Sequence, residues 1–169
     1  MEGLKYIADM MALAARTAPK SAGQDYIVTE ILVGESIKKL GLAMVEYGLR
    51  TGKHNFDRDG DSVLHSQAVV LIGLKDADTL GLNCGACGEE VCLQPNTYEG
   101  EFKGPNCSLR FLDMGIAIGS AVKMAGLMNA DNRIMYRVGV VAREIGLIEA
   151  DFVMGIPLSA TGKNIFFDR

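Results

Sequence analysis

The chain has 169 residues and a formal charge of −4, from 17 basic and 21 acidic side chains. With 49 % hydrophobic and 22 % charged residues it can bury a core, which excludes a disordered or fibrous chain. The acidic balance provides no basic face of the kind that nucleic acid or an anionic membrane needs, so neither is an expected partner.

Residues 2–17 read as an amphipathic helix, with Leu4, Ile7, Ala8, Met11, Ala14 and Ala15 at helical spacing and Pro19 as its stop. Glu2, Asp9 and Arg16 break up the apolar residues, so no signal peptide is read here, and apolar runs of nine residues are too short to span a membrane. A cytoplasmic protein with reduced thiols is expected. Residues 26–33 read as a strand, although 25–47 also suits a largely helical stretch. Residues 35–50 read as a helix ended near Gly52, 57–67 as polar and then helical, and 68–74 as a buried strand. The stretch 109–128 is apolar nearly all round and predicts a long buried helix, where Gly115 and Gly119 let another backbone approach. A helix over 133–145 follows, with Asp131 or Asn132 as its N-cap; alternatively Arg133 or Tyr136 faces a cofactor. Residues 151–156 read as a strand running out into Gly155-Ile156-Pro157, and the tail has no period. This order is α+β rather than a regular βαβ series. With no linker or repeat, 1–169 is expected to be a single domain carrying 80–107 as a cysteine-rich insertion.

The four cysteines, Cys84, Cys87, Cys92 and Cys107, have the spacing C-x2-C-x4-C-x14-C within 24 residues. Cys84-Gly85-Ala86-Cys87-Gly88 is a tight turn of small residues that directs two sulfurs to one side and leaves N–H groups free to face them. A [4Fe–4S] cluster needs four thiolates and little bulk near its sulfides, and this segment suits it. A four-cysteine zinc site is the alternative, but it usually closes with a second C-x2-C pair that is missing here.

The stretch 155–164 imitates a phosphate loop. Pro157 and Asn164 stand where Gly and Ser or Thr are needed, so nucleoside triphosphate chemistry is excluded. Ser159, Thr161, Gly162, Lys163 and Arg169 still provide donors for a looser anion site, against the plainer reading of a polar tail. Arg16, Lys20, Ser21 and Gly23 form a second donor-rich loop, and the two loops together would clamp a dianion. Residues 57–61 lack the ligand spacing of a calcium loop. His54 and His65 have no nucleophile partner in sequence and suit surface or capping roles.

Taken together, Ala14-Ala15-Arg16-Thr17-Ala18-Pro19-Lys20, Asn83-Cys84-Gly85-Ala86-Cys87-Gly88, Asp131-Asn132-Arg133-Ile134-Met135-Tyr136, Gly155-Ile156-Pro157-Leu158-Ser159-Ala160-Thr161-Gly162-Lys163-Asn164 and Phe166-Phe167-Asp168-Arg169 resemble a prokaryotic family of uncharacterized proteins containing a ferredoxin domain. That resemblance implies an iron–sulfur cluster and names no reaction. The cysteine block is also similar to the small four-iron domains of electron-transfer and corrinoid proteins, where a Gly follows the second cysteine as Gly88 does. A weaker resemblance is to FMN-dependent nitroreductases. Arg16, Pro19, Ser21, Gly155, Pro157, Lys163 and Arg169 fall where that family holds its flavin, and Lys20 and Ser159 lie in the same two loops. It implies an α+β sandwich, FMN and a homodimer with flavin at the subunit interface, although that family's early Arg-Arg-Ser motif has no counterpart here. Arg16, Lys163 and Arg169 would take the phosphate, and Ser21 with the 155–157 backbone the ring or ribityl chain. The expectation is a nitroreductase-like redox protein passing electrons between a [4Fe–4S] cluster and FMN or an unknown redox partner. A flavin-free ferredoxin-like carrier and a zinc-stabilised interaction protein are the alternatives.

Overall fold

The computed structural model describes residues 2–167, so the expected ligand Arg169 lies outside the described residues. The uninterrupted apolar run at 68–74 becomes β2 (Ala68–Leu74), buried at every position. A strand without a polar face must be covered on both sides. It pairs antiparallel with β1 (Ile27–Leu32) and with β6 (Phe152–Ser159), and β5 (Asp131–Asn132) pairs with the far end of β6. The sheet order is β1-β2-β6-β5.

Alternation along the strands divides the core between the two faces. Ala68, Val70, Ile72, Leu74, Ile156 and Leu158 pack with α1 (Glu2–Thr17) and α4 (Ser108–Leu127). Val69, Leu71 and Val153 pack with α2 (Glu35–Thr51), α3 (Phe56–Leu64) and α5 (Tyr136–Glu144). The stop near Gly52 is a left-handed cap: its φ is 69° and its N–H donates to the Gly48 carbonyl. Among the described residues no helix is long and apolar enough to cross a membrane.

Three sequence expectations change. Asp131 and Asn132 do not cap a helix; they hydrogen-bond in register with Ser159 and Leu158, and the helix starts only at Tyr136. Edge pairing satisfies their backbone groups better than a cap would. The 151–156 strand runs on to Ser159, so Gly155, Pro157 and Ser159 are interior strand positions rather than loop. Pro157 is tolerated there because its nitrogen points away from β2, toward the side where pairing lapses between the Asn132–Leu158 and Met135–Gly155 contacts. The third change concerns α4. It buries Met114, Ala117, Ile118, Ala121 and Ala125 but exposes Phe111, Leu112 and Ile116, and no atom stands within 4 Å of a Cβ placed at Gly115 or Gly119. Beside that strip, α1 exposes Tyr6, Met10 and Leu13.

The segment between β2 and α4 is mostly irregular. It ends in a small hairpin, β3 (Tyr98–Glu99) and β4 (Lys103–Gly104), which is fastened to the helical layer by charge. Glu101 accepts from the Tyr47 hydroxyl at 2.8 Å, from Lys53 Nζ at 2.6 Å and from the Tyr136 hydroxyl. Arg143 pairs with Glu99 at 2.6 Å, and buried Asp151 accepts from the Asp76 N–H and Asn96 Nδ2. A segment with little apolar content is thus held to a rigid frame at its base.

Candidate functional site

All four cysteines line one small cavity, together with Thr79, Asn83, Ala86 and Ser108. Two elements bring them there. The glycines of the C-x2-C turn provide left-handed backbone, φ 70° at Gly85 and 93° at Gly88, and the Gly88 N–H closes the turn on the Gly85 carbonyl at 2.9 Å. Ser108 Oγ, in the first turn of α4, donates to the Ala86 carbonyl at 3.0 Å and so ties that turn to the helix that Cys107 precedes. Exposure falls along the set: Cys84 is exposed, Cys87 and Cys92 are half-buried, and Cys107 is buried.

The sulfurs face hydrogen-bond donors. The Asn83 N–H donates to Cys92 Sγ at 3.3 Å, and the Cys92 N–H returns a bond to Asn83 Oδ1 at 2.9 Å. Burial alone would push the Cys107 thiol up, but the N–H groups of Leu80, Leu109 and Arg110 and the Arg110 charge bring it below the ordinary thiol value. Donors aimed at sulfur stabilise thiolate, the form that ligates metal. The free space within the cavity is about 10 Å³, room for roughly one water molecule. As the side chains stand, no three His, Cys, Asp or Glu among the described residues are placed to hold a metal ion. The donor set therefore fits a thiolate-bound centre in its chemistry, and a centre larger than one ion requires the exposed 81–92 loop to move outward.

The flavin-contact candidates separate into two groups. Arg16 donates to the Ile27 carbonyl and pairs with Asp25 at 3.3 Å. Lys20 Nζ caps the end of α1, donating to the carbonyls of Ala15, Arg16 and Ala18, with its side chain only 5 % exposed. Ser21 gives both its N–H and its hydroxyl to Asp113 Oδ1 at 2.8 Å, and Pro19 is exposed. This loop lies at the Ile27–Leu74–Phe152 end of the sheet, the same end as the cysteines. Lys163 follows Ser159 at the opposite end. The eight residues of β6 place the two loops about 23 Å apart, at roughly 3.3 Å per residue. One chain therefore does not bring them together into a clamp. Gly155, Pro157 and Ser159 are buried, and offer no surface to a ligand in this chain.

Lys163 has other company. With Arg58, Arg133, Ser62, Asn164 and Phe167 it lines an open pocket of about 480 Å³. Arg58 pairs with buried Asp59 at 2.7 Å, and Arg133 donates to the Phe166 carbonyl while lying over the Phe167 ring. Three cations with two neutral donors suit an anion such as a phosphate ester. The sequence reading missed Arg58. It lies in the acidic stretch 57–61, which falls within α3 and forms no calcium loop, and only the packing of α3 on α2 and α5 brings it to the pocket that Lys163 lines. His65 caps α3, its Nδ1 on the Asp61 carbonyl, and His54 is exposed.

An antiparallel sheet with helices on both faces, an exposed apolar helix strip and a basic pocket beside the sheet edge is a nitroreductase-like α+β fold. The solved structures it matches include the FMN-dependent nitroreductase NfnB from Mycobacterium smegmatis in complex with NADPH (TM-score 0.62, 11 % identity, 94 % of this chain and 78 % of that one). A second is a nitroreductase with bound FMN from Bacteroides fragilis (TM-score 0.61, 9 % identity, 97 % and 81 %). At such identity the likeness is one of fold. The chain itself belongs to the family described as uncharacterized proteins containing a ferredoxin domain, whose model matches residues 103–169. It is 49 % identical over 171 residues to an uncharacterized protein of Archaeoglobus fulgidus, covering 99 % of this chain and 92 % of that one. The 103–169 stretch contains Cys107 but not the other three cysteines.

Proposed function

We propose that this protein is a cofactor-dependent redox protein with an iron–sulfur cluster on Cys84, Cys87, Cys92 and Cys107 and FMN held by its phosphate at Arg58, Arg133 and Lys163. The observation that carries the reading is the convergence of four cysteines on one cavity whose sulfurs face N–H donors. A bound cluster would supply single electrons and a bound flavin would join them into pairs. The chain's own contribution is to hold the thiolates, exclude bulk water from Cys107 and fix the phosphate. Because the two loops sit at opposite ends of the sheet, one flavin touches both only across a homodimer. The exposed strip of Tyr6, Met10, Leu13, Leu112 and Ile116 is the surface such a dimer would bury. The protein acts as a single domain in which 80–107 is the cluster-binding insertion.

A zinc site is the second reading, favoured by a cavity with room for only one small occupant. Iron, acid-labile sulfide and zinc analysis of anaerobically purified protein separates the two. The proposed centre gives about four irons and four sulfides per chain, and Cys107→Ala abolishes both; a colourless chain with one zinc overturns it. For the flavin, Arg133→Ala with Lys163→Ala is expected to weaken FMN retention at least about tenfold, from the loss of two charge-assisted contacts, with iron and sulfide unchanged. Released-flavin fluorescence reads this, and wild-type protein that retains no FMN leaves the flavin-free carrier.

A further inference from the structure

The largest fully buried side chain is a cation. Arg110, 0 % exposed, sits in the first turn of α4, three residues after Cys107. Its Nε donates to the Asp78 carbonyl at 2.9 Å. One terminal nitrogen reaches the Ser21 carbonyl at 3.2 Å and Asp113 Oδ2 at 3.3 Å, and the other donates to Gln24 Oε1. The guanidinium lies over the Tyr26 ring, 4.7 Å from its centroid.

This is an adverse place for a positive charge. Burial removes its hydration, and the N-terminal turn of a helix is the positive end of the helix dipole. Its one carboxylate partner, Asp113, is shared with the N–H and hydroxyl of Ser21. Three of its acceptors, the Asp78 and Ser21 carbonyls and Gln24 Oε1, are neutral, so they satisfy its N–H groups without balancing its charge. The missing element is further negative charge close by, and the adjoining cysteine cavity would provide it once its thiols ligate: the charge of four thiolates exceeds that of the iron–sulfide core they would bind, which leaves the centre net negative. Cys107 joins the two directly, because the Arg110 N–H donates to the Cys107 carbonyl at 2.9 Å and the same turn faces its sulfur.

We propose that Arg110 is the fixed counter-charge of the four-cysteine centre, stabilising its electron-rich state and so setting its reduction potential, with Asp113 as the opposing charge. This inference rests on the iron–sulfur reading above. Reduction adds one electron to the centre and makes or breaks no bond at Arg110; dithionite supplies the electron in the experiment, and a mediator dye takes it back. Arg110 is a positioning residue that also links the centre to the 21–26 loop through Ser21, Gln24 and Tyr26.

The test is a dye-mediated, EPR-monitored redox titration of the full-length chain carrying its centre. Arg110→Met removes the charge at similar length and should make reduction at least about tenfold less favourable, a fall of about 59 mV for a one-electron couple. Arg110→Lys should restore most of that loss. Asp113→Asn, nearly isosteric, should move the potential the opposite way, upward. Opposite shifts are not expected from a general loosening of the fold. Potentials that do not move, or that move in the same direction in Arg110→Met and Asp113→Asn, overturn the proposal while the iron–sulfur reading stands. If Arg110→Met fails to fold, Asp113→Asn decides: a rise supports the proposal, and a fall or no change overturns it. Wild-type protein that holds no iron and sulfide overturns both.

Discussion

Alanine at position 139 is expected to prevent stable folding. Gly139 lies in α5 with the backbone of β6 directly beneath it. A Cβ there would stand 1.8 Å from the Val153 carbonyl oxygen and 2.4 Å from its carbon. Both are backbone atoms in the middle of a sheet paired on its other side by β2, so they have no rotamer to change. Relief requires α5 to lift off the sheet, and α5 is held down by the same feature in reverse: Val138 fills the space that a Cβ at Gly155 would need, 2.0 Å from its Cγ1. Lifting the helix also strains the Met135–Gly155 bridge, whose N–H to carbonyl bonds are 2.8 and 3.1 Å. Overpacking in cores ordinarily costs about 1–3 kcal/mol, and contact with immovable backbone exceeds that range. Against a total stability of roughly 5–15 kcal/mol, Gly139→Ala should yield insoluble protein or a melting temperature lowered by more than about 10 °C. Gly146→Ala, where a φ of 70° but no steric neighbour is at stake, should fold with a smaller loss. A Gly139→Ala protein that melts with wild type, by circular dichroism, would mean that α5 does not rest on β6 as described.

The sequence made β2 plain because it is apolar at all seven positions, and made α1 and α2 plain because their apolar residues recur at 3.6. It misled where tertiary pairing overrode local chemistry. Asp131-Asn132 is a good cap by residue type, yet an open sheet edge at Leu158–Ser159 captured it. Gly155-Ile156-Pro157 has loop composition, but Gly155 is there because Val138 presses on it, a reason that no local pattern carries. The stretch 109–128 reads as buried nearly all round because apolarity along a sequence does not say whether a neighbour is present.

The site was legible to a similar degree. Cysteine spacing indicated one cavity, but nothing in linear order separated the two donor-rich loops by the length of a strand. That distance follows from register, which places Arg16 beside Ile27 and Lys163 beyond Ser159. Nor did the sequence show Lys20 and Ser21 already engaged, because helix capping and the Asp113 bond spend the same donors a phosphate would use. Arg110 did leave a signal: a lone arginine near the start of an apolar helix needs a buried partner or a purpose.

Removing Glu101 should release the cysteine segment without unfolding the sheet. Its carboxylate is the one point at which α2, α5 and the hairpin after the cysteines converge, through Tyr47, Lys53 and Tyr136. Glu101→Ala takes the acceptor from two hydroxyls and an ammonium; Lys53 and Tyr136 are partly exposed and regain water, so the loss is about 1–2 kcal/mol. Burial would raise the Glu101 carboxyl, but the hydrogen bonds from Lys53, Tyr136 and Tyr47 outweigh it and hold it below the ordinary carboxylate range. A depressed folded value means that this stabilisation is full above the unfolded carboxyl value and is lost as pH falls through the folded one. On the alkaline side, burial and then the bond to Glu101 push Tyr136 up to about 12, and Tyr47 rises for the same reasons. A raised value favours the neutral phenol, so that contribution is full below the ordinary tyrosine value of about 10 and fades as pH climbs toward 12. Wild-type stability should therefore fall off on both limbs, and Glu101→Ala should be less stable at neutral pH with both limbs flattened. Melting temperature against pH reads the linkage, and limited proteolysis reads the location: cleavage within 80–102 should quicken in the variant while 68–74 stays protected. Unchanged limbs, or cleavage spread evenly along the chain, would show that Glu101 does not anchor this segment.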